Sequence, residues 1–193
     1  MSDRTADRGQ PGNRPSAPPP LDLVQDFVNT WDREAGSERF DSPANLARWL
    51  RARRLIGSGD PVSRADVRDA VELREALRQL LLEHSGAPPS TDAHAVLARC
   101  AAASPLSVRF DDRGELVLVP LRPGTRGAWA QVVAAVAHGS TAGTWPRLKA
   151  CRADLCRWAF YDRSKNRSSH WCSMDVCGAR AKMRRYRERH RGD

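Results

Sequence analysis

Apolar side chains recur at helical spacing through much of the first 140 residues. Leu21 to Trp31 carries Val24, Phe27, Val28 and Trp31 on one side, which predicts a helix, with a loop following at residues 36–41. Ser42-Pro43 has the cap-then-proline order of a first turn and opens a second helix through Leu46, Trp49, Leu50 and Arg53 to a stop at Gly57. The turn Gly57-Ser58-Gly59-Asp60-Pro61 leads to the longest helix. Ser63 caps it, Asp66 places an acid in its first turn, and Val67, Ala70, Val71, Leu77, Leu80 and Leu81 form its stripe, ending before Gly86. Past the connector Ala87-Pro88-Pro89, Thr91 caps a shorter helix bearing Val96, Leu97 and Cys100, the last read as a small buried side chain.

The period then changes. Leu106, Val108 and Phe110 alternate with other residues, Asp111-Asp112-Arg113-Gly114 makes a turn, and Leu116 to Val119 returns, a β-hairpin pattern. Ala128 to His138 is the last helix upstream, with Trp129, Val132, Val133 and Val136 inward; residues 139–144 (GSTAGT) read as a flexible linker, and Trp145 as a packing residue at the junction. Residues 1–20 hold Gly, Pro and polar residues without an apolar run, so a disordered arm is expected there. They lack the apolar core of a secretion signal, and nothing elsewhere approaches a membrane span. The expectation is a soluble, cytoplasmic protein with one sizeable domain (21–144), a small one (145–193) and no membrane partner.

Four of the five cysteines change the picture. Cys151 and Cys156 are separated by four residues, Cys172 and Cys177 repeat that spacing, and fifteen residues lie between the pairs. Thiolate pairs on two tight turns supply the tetrahedron of soft donors that structural zinc requires. The alternatives are two disulfides or four unrelated thiols; a reducing compartment favours metal. Between the pairs, residues 157–161 form an aromatic strand-like run, Ser164 to Ser169 a polar turn, and Trp171 a returning strand. Ser173 is a helix cap, so a helix is expected from Met174, with Cys177 in its first turn, where the positive helix end favours the thiolate. Knuckle, hairpin and ligand-bearing helix describe a treble-clef-like zinc finger. Four cysteines close the coordination shell, which makes one zinc ion a structural cofactor.

The helix after Cys177 suggests a partner. Val176, Ala179, Met183 and Tyr186 recur at helical spacing and are expected to pack on the hairpin aromatics, while Arg180, Arg184, Arg187 and Arg191 line another face, flanked by Lys182, Arg185 and Arg189. A solvated, frayed helix end is the bland alternative. Charge location weighs against it. Residues 147–193 hold fourteen basic and five acidic residues, whereas residues 1–146 balance eighteen against eighteen, so the entire net charge of +9 sits in the cysteine-bearing module. Such a field favours nucleic acid.

The segment RLKAC-x4-C-x-W-x-FYDRSKNRS-x2-WCSM-x2-CG-x-RAK-x-RRYR resembles the CGNR zinc-finger domain, and residues 21–144, including DFVNT at 26–30, resemble the ABATE domain that precedes it in bacterial stress-induced transcription regulators. The resemblance implies that Cys177 is a zinc ligand and Arg180 a candidate contact; in the name-giving tetrad, Cys177-Gly178-Ala179-Arg180, Ala179 stands where the family has Asn.

No phosphate-cradling glycine loop or nucleophile elbow occurs, and the five histidines are scattered, so an enzyme is not expected. The fold class expected is α+β: a mostly helical domain with one β-hairpin, then a small zinc finger. The function expected is a zinc-dependent DNA-binding regulator, with Arg180, Lys182, Arg184, Arg185 and Arg187 on the helix and Arg163, Lys165 and Arg167 on the hairpin turn as contacts. The alternative is a protein-interaction or RNA-binding module that uses Trp158, Phe160, Tyr161 and Trp171 as an exposed aromatic face. Phe27, Asn29 and Thr30, at the end of the first helix, are candidates for lining a ligand pocket, against the ordinary reading that they terminate it.

Overall fold

A computed structural model describes residues 10–190. The predicted helices are present: α1 (Leu21–Val28), α2 (Pro43–Ala52), α3 (Arg64–Glu83), α4 (Thr91–Ala103), α5 (Gly124–Thr141) and α6 (Ala179–Arg189). Three two-stranded antiparallel sheets join them: β1 (Trp31–Asp32) with β2 (Ser37–Glu38), β3 (Leu106–Phe110) with β4 (Leu116–Pro120), and β5 (Leu148–Ala150) with β6 (Ala159–Tyr161). Capping chemistry sets several starts. The Ser42 hydroxyl accepts from the Asn45 N–H, Ser63 and Asp66 form a reciprocal capping box, and Ser90, one residue before the expected Thr91, caps α4. Helix α1 ends three residues short of expectation, because Trp31 leaves it to pair with Glu38, within the segment expected as a loop.

The main core gathers Val24 and Phe27 of α1, Leu46 and Trp49 of α2, Leu73, Leu77 and Leu81 of α3, and Trp129 and Val132 of α5. Phe27 stands at its centre, with ring centroids 5.6 Å from Phe40, 5.6 Å from Trp49 and 5.8 Å from Trp129. Buried aromatic pairs at such tilted angles add stabilisation beyond the area they remove from water. Cys100 is half-buried on the edge of this core, more open than expected.

The hairpin β5–β6 decides how the two halves relate. Successive side chains of a strand point to opposite faces. Leu148, Ala150, Ala159 and Tyr161 join the main core, while Cys151, Trp158 and Phe160 join a second core around the cysteines. One ribbon thus serves two cores. The flexible linker expected at residues 139–144 is accordingly not observed: α5 runs to Thr141, Gly139 is buried against Leu21, and Trp145 is buried edge-on to His84. A Cβ on Gly139 would stand 2.7 Å from Leu21 Cδ2, so only glycine allows this approach without displacement.

The arm also differs from expectation. Residues 1–9 lie outside the described residues, but residues 10–20 pack on the protein. Ala17 is buried and its N–H donates to Gln25 Oε1 at 2.6 Å; Gln10 Oε1 accepts from Gln25 Nε2 at 2.8 Å and from Trp158 Nε1 at 3.1 Å; Arg14 covers the Phe160 ring at 5.0 Å. Composition alone suggested too little apolar surface to order the segment, yet a ready-made polar and aromatic surface supplies its partners. No helix among the described residues is long and apolar enough to cross a membrane.

Candidate metal centre and nucleic-acid interface

Each ligand position follows from local backbone structure. Cys151 continues β5, its N–H donating to Trp158 O at 2.9 Å. The knuckle after it closes through Cys156 N–H to Ala153 O at 2.9 Å and Arg157 N–H to the same carbonyl at 3.1 Å, with Arg157 in the left-handed region at φ 54°. Cys172 precedes Ser173, which has extended backbone, and Met174–Gly178 forms one π-type turn before α6. The expected helix start is therefore correct in place but opens with a wider turn, and Ser173 makes no side-chain cap bond. Cys177 lies in that turn, buried.

The four thiol sulfurs lie within 4.8 Å of one another, and all four residues are buried. Cys156 and Cys172 Sγ are 3.5 Å apart, Cys172 and Cys177 Sγ 3.7 Å. A tetrahedron with zinc–sulfur bonds of 2.3 Å has edges of about 3.8 Å, so the donor set fits one zinc ion. The thiols cannot ionise independently. Hydrogen bonds from Cys156 and Cys172 favour thiolate at Cys151, whereas interaction with Cys151 pushes Cys156 and Cys172 up, and burial raises Cys177. A buried cluster that must carry several negative charges requires a cation at its centre. The bound zinc is structural: it ties knuckle to helix and offers no open position.

The turn between the cysteine pairs is held from beneath. Lys149 Nζ and Asp162 Oδ2, both buried, pair at 2.9 Å; Asp162 also accepts from the Ser164 and Ser169 N–H groups at 2.9 and 3.0 Å, and Lys149 donates to the Arg167 and Ser169 carbonyls. Burial alone would raise the Asp162 pKa, but the hydrogen bonds from Lys149, Ser164 and Ser169 hold it well below the usual carboxylate range. This clamp presents Arg163, Lys165 and Arg167 to solvent, with Arg163 also donating to Ser16 O at 2.8 Å. Trp171 is half-buried against the metal core and lies on no strand, so the returning strand is absent and β5 takes its place beside β6.

Helix α6 stands away from the body, with Ala181 its one buried residue. Arg180, Lys182, Arg184, Arg185 and Arg187 are all exposed. Arg180 pairs with Glu34, at the β1–β2 turn, at 2.7 Å, and Arg184 reaches Glu188 at 3.9 Å; among the described residues Lys182, Arg185 and Arg187 have no acidic partner. Arg191 lies outside the described residues. Val176, Met183 and Tyr186 are exposed, contrary to the packing expected of them, because Gln10, Arg14 and the thiol cluster already cover Trp158 and Phe160. Ala179, in place of the family Asn, is likewise exposed. The aromatic face of the alternative reading is not formed: Trp158, Phe160 and Tyr161 are buried.

Phe27, Asn29 and Thr30, the candidates for a pocket against the favoured reading that they end the helix, are engaged within the protein itself, with Asn29 the C-cap of α1. Asn29 Nδ2 donates to Ala159 O at 2.9 Å and its Oδ1 accepts from Ala159 N–H at 2.7 Å, while Thr30 donates to Phe27 O and accepts from Arg74 at 3.2 Å. Sequence reasoning missed Arg74 and Arg78. Arg74 grips both Glu38 oxygens at 2.6 and 2.7 Å, and Arg78 links Val28 O at 2.7 Å to Arg157 O at 3.1 Å, both side chains buried. Arginines on a helix ordinarily read as solvated; their signal was position, four apart and level with Leu77 and Leu81.

Two family models match the chain. ABATE, described as "Putative stress-induced transcription regulator", matches residues 21–143, and zf-CGNR, described as "CGNR zinc finger", matches residues 147–190. No curated protein matches it.

Proposed function

We propose a role in duplex DNA binding for this chain, which belongs to the ABATE family and carries a CGNR zinc finger after the ABATE region. The observation that carries the reading is α6: a helix rooted in the metal core, exposed except at Ala181, whose Lys182, Arg185 and Arg187 have no acidic partner among the described residues. Its backbone rise over eleven residues is about 16 Å, enough to lie in a major groove or follow several phosphates. The hairpin-turn cations Arg163, Lys165 and Arg167 add charge from a second, clamped element. Phosphate contacts supply affinity and position without reading sequence. The activity inferred is regulation through binding, not catalysis.

The test is a salt titration with duplex DNA and the zinc-loaded protein. Neutralising about five phosphates gives a slope of log affinity against log salt near −4.5. Replacing Arg185 and Arg187 by Gln should weaken binding to all duplexes alike and make the slope shallower by about 2. A slope near zero overturns the proposal. A second reading, protein docking on α6, is favoured by the exposed Val176, Met183 and Tyr186; it predicts capture of a protein with little salt sensitivity and no duplex retention.

A further inference from the structure

Among the described residues nothing covers the outer part of one apolar face of the β3–β4 hairpin, whose Leu106 and Pro120 are half-buried. Leu106 stands opposite Pro120, Val108 opposite Leu118, and Phe110 opposite Leu116, so the two-residue period gathers six apolar side chains on one face. Phe110 is 74% exposed, Leu116 60%, Val108 58% and Leu118 38%. Half-buried Val117 and Val119 belong to the other face. Next to β4 a cavity of about 600 Å³, lined by Leu23, Leu118 and Ala134 with Gln131, His138 and Thr141 among them, continues this surface onto α1 and α5. From the sizes of these side chains, on the order of 400 Å² of apolar surface lies open here, the size of the largest patch a monomer leaves, which is often functional.

We propose that this face is where a second copy of the chain docks. Three observations favour that occupant. The face itself carries no charge: Arg109 points to the opposite side, and Asp111, Asp112, Arg113 and Glu115 are confined to the hairpin end, so two identical faces meet without like-charge repulsion. Its composition is that of a homodimer interface, since contacts between unlike, separable partners carry more polar groups. The area is adequate: the patch counted twice gives roughly 800 Å², and the flanking wall on α1 and α5 brings the total toward the roughly 1,000 Å² that a specific interface needs.

Sedimentation or light scattering on the full, zinc-loaded chain at micromolar concentration should report twice the 21.4 kDa chain mass. Phe110→Asp and, separately, Leu116→Asp should each return it to single-chain mass, with helical circular dichroism and zinc content unchanged, and with dimer dissociation raised about 100-fold or more. Arg109→Ala, on the opposite face, should leave the dimer intact. Should either acidic variant lose helical signal, Val108→Ala is measured instead, with weakened association expected. A wild type of single-chain mass overturns the proposal, even if the face then retains a different protein. So does a dimer that survives both acidic variants, or open-ended aggregation in place of a closed pair.

Discussion

Asn29 shows what a single side chain contributes. Its amide completes both hydrogen bonds of the Ala159 peptide edge, replacing a strand neighbour that β6 lacks on that side. Removing it leaves a buried N–H without a partner, while the carbonyl retains only Gln25 Nε2 at 3.2 Å. An unsatisfied buried group costs about 1–3 kcal/mol. Asn29→Ala should therefore lower folding stability by roughly 2–4 kcal/mol, measured by denaturant midpoint with zinc held constant. A loss under about 0.5 kcal/mol would mean that water or a shifted backbone restores the bonds. The residue stood out in the sequence as a polar group ending an apolar helix, but its partner, 130 positions away, did not. The cysteines were easier: their spacing specifies two turns, and tetrahedral soft-donor chemistry supplies the rest.

Elements that meet at a shared residue carry the next level. His84 caps α3, and its Nδ1 lies 2.8 Å from Leu148 O of β5, with the ring edge-on to Trp145. Burial lowers its pKa, against the opposing influence of the Leu148 carbonyl and Glu83. The unfolded chain, with histidine near 6.5, thus binds more protons than the folded one below that pH. The contribution to stability is complete above about pH 6.5 and is lost as pH falls through the interval down to the folded value. Denaturation at pH 7.5 and 5.5 should show a drop that shrinks in His84→Gln; equal drops in the two proteins would remove His84 as its source. The pattern of the long helix was legible because its stripe and capping box are local. The hairpin β5–β6 was not, since three-residue strands have too short a period to declare which faces are buried.

At the scale of the molecule, charge and packing are distributed differently. Net charge belongs to residues 147–193 alone, yet those residues share a core with α1 and α3 through Leu148, Ala150, Ala159 and Tyr161. A sequence view of two modules on a flexible linker implies that losing zinc unfolds only the second. The shared ribbon implies otherwise. Cys172→Ser, or removal of zinc by a strong chelator, should lower the thermal midpoint of the whole chain and move the helical signal in one transition, because Cys151 and Trp158 directly extend the ribbon whose other face fills the main core. An upper transition left at its original midpoint would show that the two cores are independent.

The zinc ligands, the long helices, the β3–β4 hairpin and the basic C-terminal helix were determined by the sequence itself, because spacing, capping and periodicity act within a few residues of chain. Only the tertiary structure decided that residues 10–20 lie on Trp158 and Phe160, that Asn29 serves a distant strand rather than a ligand, and that Val176, Met183 and Tyr186 face water. Those outcomes depend on which surface is already covered when a segment arrives. Burial is a property of neighbours brought together by the fold, and a local pattern can state that a face is apolar without stating what, if anything, will cover it.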